Sequence, residues 1–339
     1  MMARNDYREI LKRFCNGRVA VLGDVMLDVY LWGRVNRISP EAPVPIINID
    51  RRTSCLGGAA NVMRNLATLG ARASAFGAVG DDTAADEVCR AFDELGIAAA
   101  GILRDRRRRT TEKRRVIAAG QQLLREDFED TFALSDGDRR RLVDAILEEI
   151  RGNRLDAVIF EDYAKGTLAS WMLEEIIAAA RRQGVKTALD PKPGNLTPVK
   201  HLTVMKPNRA EAFAMAGMHD PGTVADPTGD SALAEVARRL FDTWQPECLL
   251  ISLAAQGMAL YRPDREVKII PTMAREVFDV SGAGDTVTAT FALAMISGAA
   301  PEAAAEIANL AAGVVVGKVG TAPIKFKELE RVCRAGEVL

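Results

Sequence analysis

Histidine is scarce, with only His201 and His219 among 339 residues. Two histidines cannot build an HExxH or a zinc-ribbon spacing, which removes that zinc chemistry. The five cysteines (Cys15, Cys55, Cys89, Cys248 and Cys333) are scattered, odd in number and form no CxxC pair. They read as reduced thiols of a cytoplasmic protein. An excess of either charge is lacking as well: 45 Lys and Arg stand against 46 Asp and Glu, so no global field calls for nucleic acid or an anionic membrane. No apolar run is long enough to span a bilayer, and the charged N-terminus lacks the apolar core of a signal peptide. Internal repeats and low-complexity linkers are absent. These exclusions leave a soluble globular chain, of a size at which α/β folds form one large unit with a small appendage.

What is present is a βαβ rhythm. Apolar strands are expected at 18–22, 73–79, 97–103, 155–160, 185–189, 201–205 and 248–252. Helices are expected at 7–14, 57–69, 83–95, 138–150, 168–183, 303–316 and 327–334, with another beginning near Asn208. Such alternation predicts a mostly parallel sheet covered on both faces, with ligands bound beyond the carboxyl ends of the strands. Asp24, Asp162, Asp190 and Asn208 all fall at such ends. Two segments break the rhythm. Residues 35–50 carry Pro40, Pro43 and Pro45 among β-favouring residues, a density of proline that excludes a central strand. Residues 104–125 are basic, with Arg106 to Arg109 consecutive, and contain two strand-like pieces around Gly120. A basic run is usually a solvated face; the other reading makes these two segments one small β lid that closes over a substrate. The Pro/Gly/Asp-rich residues 218–230 read as a surface loop.

The chain is organised around residues 276–290, EVFDVSGAGDTVTAT. Residues 277–280 look like the end of a strand, Ser281-Gly282-Ala283-Gly284 like a turn, and Asp285 like the start of an Ala-rich helix. A turn with so little side chain at a helix N-terminus offers unpaired N–H groups to an anion. Asp285 would repel a bound phosphate unless it takes a proton from whatever attacks that phosphate, the pairing phosphoryl transfer requires. The plain alternative is an ordinary helix-start acid.

The segments Gly57-Gly58-Ala59-Ala60-Asn61 and Asp279-Val280-Ser281-Gly282-Ala283-Gly284-Asp285, in this order, resemble the paired signatures of the ribokinase-like (PfkB) carbohydrate kinases. The runs Gly23 to Asp28, Arg37 to Pro45, Gln121 to Arg125, Asp162 to Gly166 and Ala311 to Lys318 are similar to the heptose 7-phosphate kinases within that family. Val29, Leu56 and Met63 depart from the pattern near the sugar side. The resemblance implies a three-layer αβα fold with a mostly parallel central sheet and a small β lid. It implies ATP and Mg²⁺, a sugar phosphate acceptor, and a role in ADP-heptose formation for lipopolysaccharide. Asp285 becomes the base for the anomeric hydroxyl. Gly282, Ala283 and Gly284 hold the transferring charge, and Asn208-Arg209-Ala210-Glu211 is the element near the phosphates, with Glu211 on Mg²⁺. Ser252, Gly257 and Asn309 would line the nucleotide cleft, Asn309 being equally readable as a buried helix polar residue. Asp28, Gly57, Gly58 and Asn61 would bind the sugar, with Arg37, Lys165, Lys192 or the Arg104–Arg115 ribbon as candidates for a second phosphate. The sequence ends at Leu339 without room for the nucleotidyltransferase domain of the bifunctional members, which suggests the single-domain kinase, expected as a homodimer joined through the lids. An NAD-dependent dehydrogenase is disfavoured because Val287 stands where a third glycine would be needed. A catalytically silent sugar-binding protein is disfavoured by Asp285 and the intact glycine turn.

Overall fold

Alternation along single strands decides the layers. In β1, Val19 and Val21 pack into one apolar core while Ala20 and Leu22 pack into a second, and all four are fully buried. A strand apolar on both faces belongs to a sheet covered on both sides. The structure, a computed structural model, describes residues 4–263, 265–273, 277–318 and 320–335; Glu276, the start of the stretch singled out above, lies outside them.

The strands in chain order are β1 (Arg18–Gly23), β2 (Val25–Ile38), β3 (Pro45–Gly58), β4 (Arg72–Val79), β5 (Ala98–Arg104), β6 (Thr111–Ala118) and β7 (Gln121–Phe128). They continue with β8 (Ala157–Glu161), β9 (Lys186–Asp190), β10 (Val204–Met205), β11 (Cys248–Ser252), β12 (Met258–Tyr261) and β13 (Lys268–Ile270). The helices are α1 (Arg4–Lys12), α2 (Ala59–Thr68), α3 (Thr83–Leu95), α4 (Asp136–Arg151), α5 (Ser170–Gln183), α6 (Arg209–Met215), α7 (Ser231–Trp244), α8 (Ala283–Ile296), α9 (Pro301–Val316) and α10 (Phe326–Ala335). Nine strands form the main sheet in the order β13-β12-β11-β10-β9-β8-β1-β4-β5. Every pairing from β11 to β5 is parallel; β12 and β13 are added by antiparallel hairpin pairing. Helices α1, α2, α3, α8, α9 and α10 contribute to the core on one face, and α4, α5, α6 and α7 to the core on the other. The expected three-layer αβα arrangement is therefore present.

A separate four-stranded sheet, in the order β3-β2-β6-β7, leaves this rhythm. β2 and β3 pair antiparallel, β2 and β6 parallel, and β6 and β7 antiparallel through a turn at Ala119 and Gly120, both with positive φ. The two segments share this sheet, but not through the residues expected to pair: Met26–Gly33 meet Thr111–Ala118, whereas residues 35–50 pair only within β2 and β3, and both bounds change. The first begins at Val25 rather than 35, and its prolines cluster at the hairpin tip and at the first residue of β3, where the ladder needs no donor from them. β2 is consequently an interior strand of the lid sheet. The second runs from Thr111 to Phe128, while Arg104 closes β5 of the main sheet.

Other expectations also shift. Residues 201–205 shorten to the two-residue β10. Helix α7 went unread although Leu233, Val236, Ala237 and Leu240 line one buried face at helical spacing. Residues 277–280 are not a strand: the N–H groups of Phe278 and Asp279 donate to the Val316 carbonyl at 2.8 and 3.2 Å, and Val277, Phe278 and Val280 are exposed.

Candidate active site

Parallel strands deliver their carboxyl ends to one edge, and α8 starts there. Gly282 caps α8 at φ 79°, in the left-handed region. A Cβ on Gly282 would stand 2.6 Å from Asn61 Nδ2 and 2.7 Å from Thr321 Cγ2, so the turn passes where a side chain does not fit. A Cβ on Gly284 would approach Lys206 Nζ at 3.4 Å. Bare backbone at a helix N-terminus beside an ammonium is a cradle for an anion.

Asp285 occupies the first turn of α8 and is 5% exposed. Its Oδ1 accepts from Tyr163 Oη at 2.6 Å and its Oδ2 from Asn61 Nδ2 at 2.6 Å. Burial pushes its pKa up, the two hydrogen bonds pull it down and the nearby Asp190 pushes it up again, leaving it at about 6. A carboxylate poised there is ionised at neutral pH and still basic enough to take a hydroxyl proton. Each oxygen keeps a further lone pair for that hydroxyl. Tyr163 is a lasting donor, because burial and then the charge of Asp285 raise its own pKa well above the usual phenol value.

The sugar-side residues converge on the same carboxylate. Asn61 is held by Arg64, whose Nη2 donates to Asn61 Oδ1 and, at 2.7 Å, to the Thr321 carbonyl. A Cβ on Gly57 would fall 2.5 Å from Asp28 Oδ2, and Gly58 adopts φ 54°, where a Cβ would fall 2.7 Å from the Asp24 carbonyl oxygen. Both glycines are thus fixed by space as well as by the turn into α2. Asp28 itself is buried and accepts from Arg115 Nη1 at 2.6 Å and from Thr321 Oγ1 at 3.4 Å. Lys165 stands at the rim, its Nζ 2.7 Å from Glu129 Oε1. Arg37 does not join this group. It is exposed near the far end of β2, nine residues beyond Asp28, which is about 30 Å at the usual rise of a strand.

Sequence reasoning left Glu161, Asp190 and Lys206 without roles, and the structure gathers them behind Asp285. Carboxylate oxygens of Glu161, Asp190 and Asp285 lie within 4.8 Å of one another. Lys206 Nζ sits 2.8 Å from Asp190 Oδ2; burial works against its charge, but the Asp190 partner outweighs this and keeps it protonated. Glu161 is fully buried with neither oxygen hydrogen-bonded, and burial followed by the charges of Asp190 and Asp285 pushes its pKa well up. The position of both acids at strand ends was the available signal.

On the other side of the Gly282 turn lies a cleft of about 910 Å³, lined among others by Asn208, Ser252, Gly257, Gly284 and Asn309. That volume suits a nucleotide. Ala210 and Glu211 also line it, in the first turn of α6. Glu211 is already used locally: it forms a capping box with Asn208, and its Oε1 is 3.4 Å from Lys192 Nζ. Arg209 borders the cleft, but its guanidinium is occupied by Asp220, Asp230 and the Gly222 carbonyl. Its side chain is therefore a strut of α6, and a nucleotide would meet only its backbone. Asn309 lines the cleft and also donates to the Pro271 carbonyl at 2.7 Å. Gly257, at φ 91°, has no room for a Cβ beside the Ile270 carbonyl.

The glycine turn and its buried acid thus border a nucleotide-sized cleft, and the chain that carries them is similar to known proteins. The description pfkB family carbohydrate kinase fits residues 16–327. The chain belongs to this family of sugar kinases. The bifunctional protein HldE of Geobacter sulfurreducens is 40% identical over 309 residues, covering 91% of this chain and 61% of that protein. HldE of Paramagnetospirillum magneticum is 43% identical over 311 residues, covering 92% and 62%. The kinase thus spans about three-fifths of the length of these relatives. Arabidopsis thaliana ribokinase complexed with ribose and ATP superposes with a TM-score of 0.69 at 21% identity, covering 94% of this chain and 98% of that one. Escherichia coli phosphofructokinase-2 with substrates and products gives 0.73 at 16% identity, covering 95% and 99%. At these identities the likeness speaks for the fold. No helix among the described residues is long and apolar enough to cross a membrane.

Proposed function

We propose that the kinase transfers the γ-phosphate of ATP to the anomeric hydroxyl of D-glycero-D-manno-heptose 7-phosphate, giving the 1,7-bisphosphate. The observation that carries the phosphoryl-transfer reading is Asp285, buried, held by Tyr163 and Asn61, and adjacent to the bare turn Gly282–Gly284. Asp285 takes the proton of the sugar hydroxyl, and the freed oxygen attacks in line. N–H groups from Ala283 to Asp285 receive the charge on the moving phosphoryl group, a stabilisation worth roughly 3 kcal/mol per donor. Glu211 and Asp190, both on the cleft wall, are the residues that would hold a hydrated Mg²⁺, which would supply neutralisation of phosphate charge. Asp28 and Asn61 orient the sugar, since a carboxylate and an amide bond hydroxyls in fixed directions.

The heptose assignment is supported by the residue runs quoted above and by the HldE relatives. Its product would feed a nucleotide-activated heptose for lipopolysaccharide. Proton–phosphorus NMR of the product is the test: the new phosphorus should couple to the anomeric proton, and coupling to any other carbinol proton would overturn the assignment.

The same reading includes a homodimer joined through the lids. Ile38, Val44, Ile49, Leu123 and Leu124 are exposed apolar residues on the lid, and β3 and β7 are its open edges, features that a second copy would cover. Light scattering should give twice 36.7 kDa for the native protein and a smaller mass for Leu124→Glu. A monomeric native protein would remove the dimer.

A further inference from the structure

The wall of the lid that faces Asp285 carries one cation too many. Register places Asp28 beside Lys113 and Tyr30 beside Arg115 across β2 and β6, then Lys113 beside Asp127 and Arg115 beside Arg125 across β6 and β7. Paired residues share a face, so all of these lie on one side of the lid sheet. Arg115 is held by Asp28 at 2.6 Å, Arg125 by Asp127 at 2.6 Å, and Lys165 at the rim by Glu129 at 2.7 Å. Lys113 has neither a hydrogen-bond acceptor nor an ion-pair partner for its ammonium among the described residues. Its neighbour is the ring of Tyr163, with Nζ 5.3 Å from the centroid. The hydroxyl of that ring is the one that donates to Asp285. Lys113 is half-buried against that ring, and burial lowers its pKa, with Asp28 acting in the other direction.

We infer that Lys113 receives the phosphate carried by the sugar at the end remote from the reacting hydroxyl, and thereby sets the preference for phosphorylated sugars. This rests on the sugar-phosphate reading of the same site. A sugar whose anomeric hydroxyl meets Asp285 extends past Tyr163 along the lid wall, and the first uncompensated positive charge it reaches is Lys113. Arg115, Arg125 and Lys165 already have carboxylate partners that an incoming phosphate would have to displace. Phosphate gives Lys113 the acceptor it lacks, without exposing another charge. The lid would then close on the substrate through an ion pair that a neutral sugar cannot make.

The experiment measures kcat/KM for D-glycero-D-manno-heptose 7-phosphate and for the same heptose without phosphate, in the native enzyme and in Lys113→Met, Lys113→Gln and Lys113→Arg, with Tm for each. The native ratio of the two values should favour the phosphorylated sugar. Loss of one charge-assisted bond should shrink that ratio by at least about tenfold in the Met and Gln variants, while Arg, which keeps the charge, preserves most of it. If both substrates lose turnover in parallel, Lys113 acts through Tyr163 and the inference is wrong; an unchanged ratio in a folded Met or Gln variant also overturns it. A native enzyme without preference for the phosphorylated sugar fails the substrate reading itself, and the inference with it. Two neutral variants guard against one of them failing to fold, which Tm reports.

Discussion

Asp285→Asn is expected to reduce kcat by about 10²- to 10⁴-fold, the usual contribution of a positioned general base. The amide is nearly the same shape, and the Tyr163 hydroxyl can turn to accept where the carboxylate oxygen only received. The fold and nucleotide binding should therefore survive, which thermal denaturation with and without ATP would show. The pH dependence adds a second check. Asp285 must be ionised to act, and its pKa lies at about 6, raised from the ordinary carboxylate value. Activity should thus be full well above pH 6 and fall on acidification through that value, and this acid limb should be missing from the residual rate of the Asn variant. Retention of more than a tenth of the native kcat, a barrier change below about 1.4 kcal/mol, would exclude Asp285 as the base.

How much of this was legible beforehand depends on the range of the interaction. The Gly282 turn and Asp285 are local: their chemistry follows from a helix start and four consecutive residues, and the structure keeps them together. Gly57 and Gly58 were legible for the same reason, although the steric cause, Asp28 and the Asp24 carbonyl, lies across a strand pair. Tyr163 is 122 positions from Asp285, and nothing nearby in sequence marks its hydroxyl as the group that fixes the carboxylate. Asp190 was placed at a strand end, but its ion pair with Lys206 exists only because β9 and β10 are neighbours. Residues 277–280 misled because Val and Phe favour strands; here they are exposed, and two of their N–H groups are satisfied by the end of α9 instead. Prolines hid the lid's true length. They mark its tip, while the first ten residues of β2, Val25 to Arg34, contain none and form its base.

Substrate choice carries the other large effect, and it follows from charge. The lid wall holds Lys113, Arg115, Arg125 and Lys165 against Asp28, Asp127 and Glu129, four cations to three carboxylates. A phosphate that meets Lys113 gains a charge-assisted bond worth about 1.5–3 kcal/mol, whereas a neutral sugar makes none. A single such bond multiplies kcat/KM by about 10- to 100-fold. The most direct measurement is ADP release with ATP and Mg²⁺ across D-glycero-D-manno-heptose 7-phosphate, ribose and fructose at matched concentrations. The account predicts kcat/KM for the heptose 7-phosphate at least about 10-fold above either neutral sugar. Equal values for ribose or fructose would contradict it.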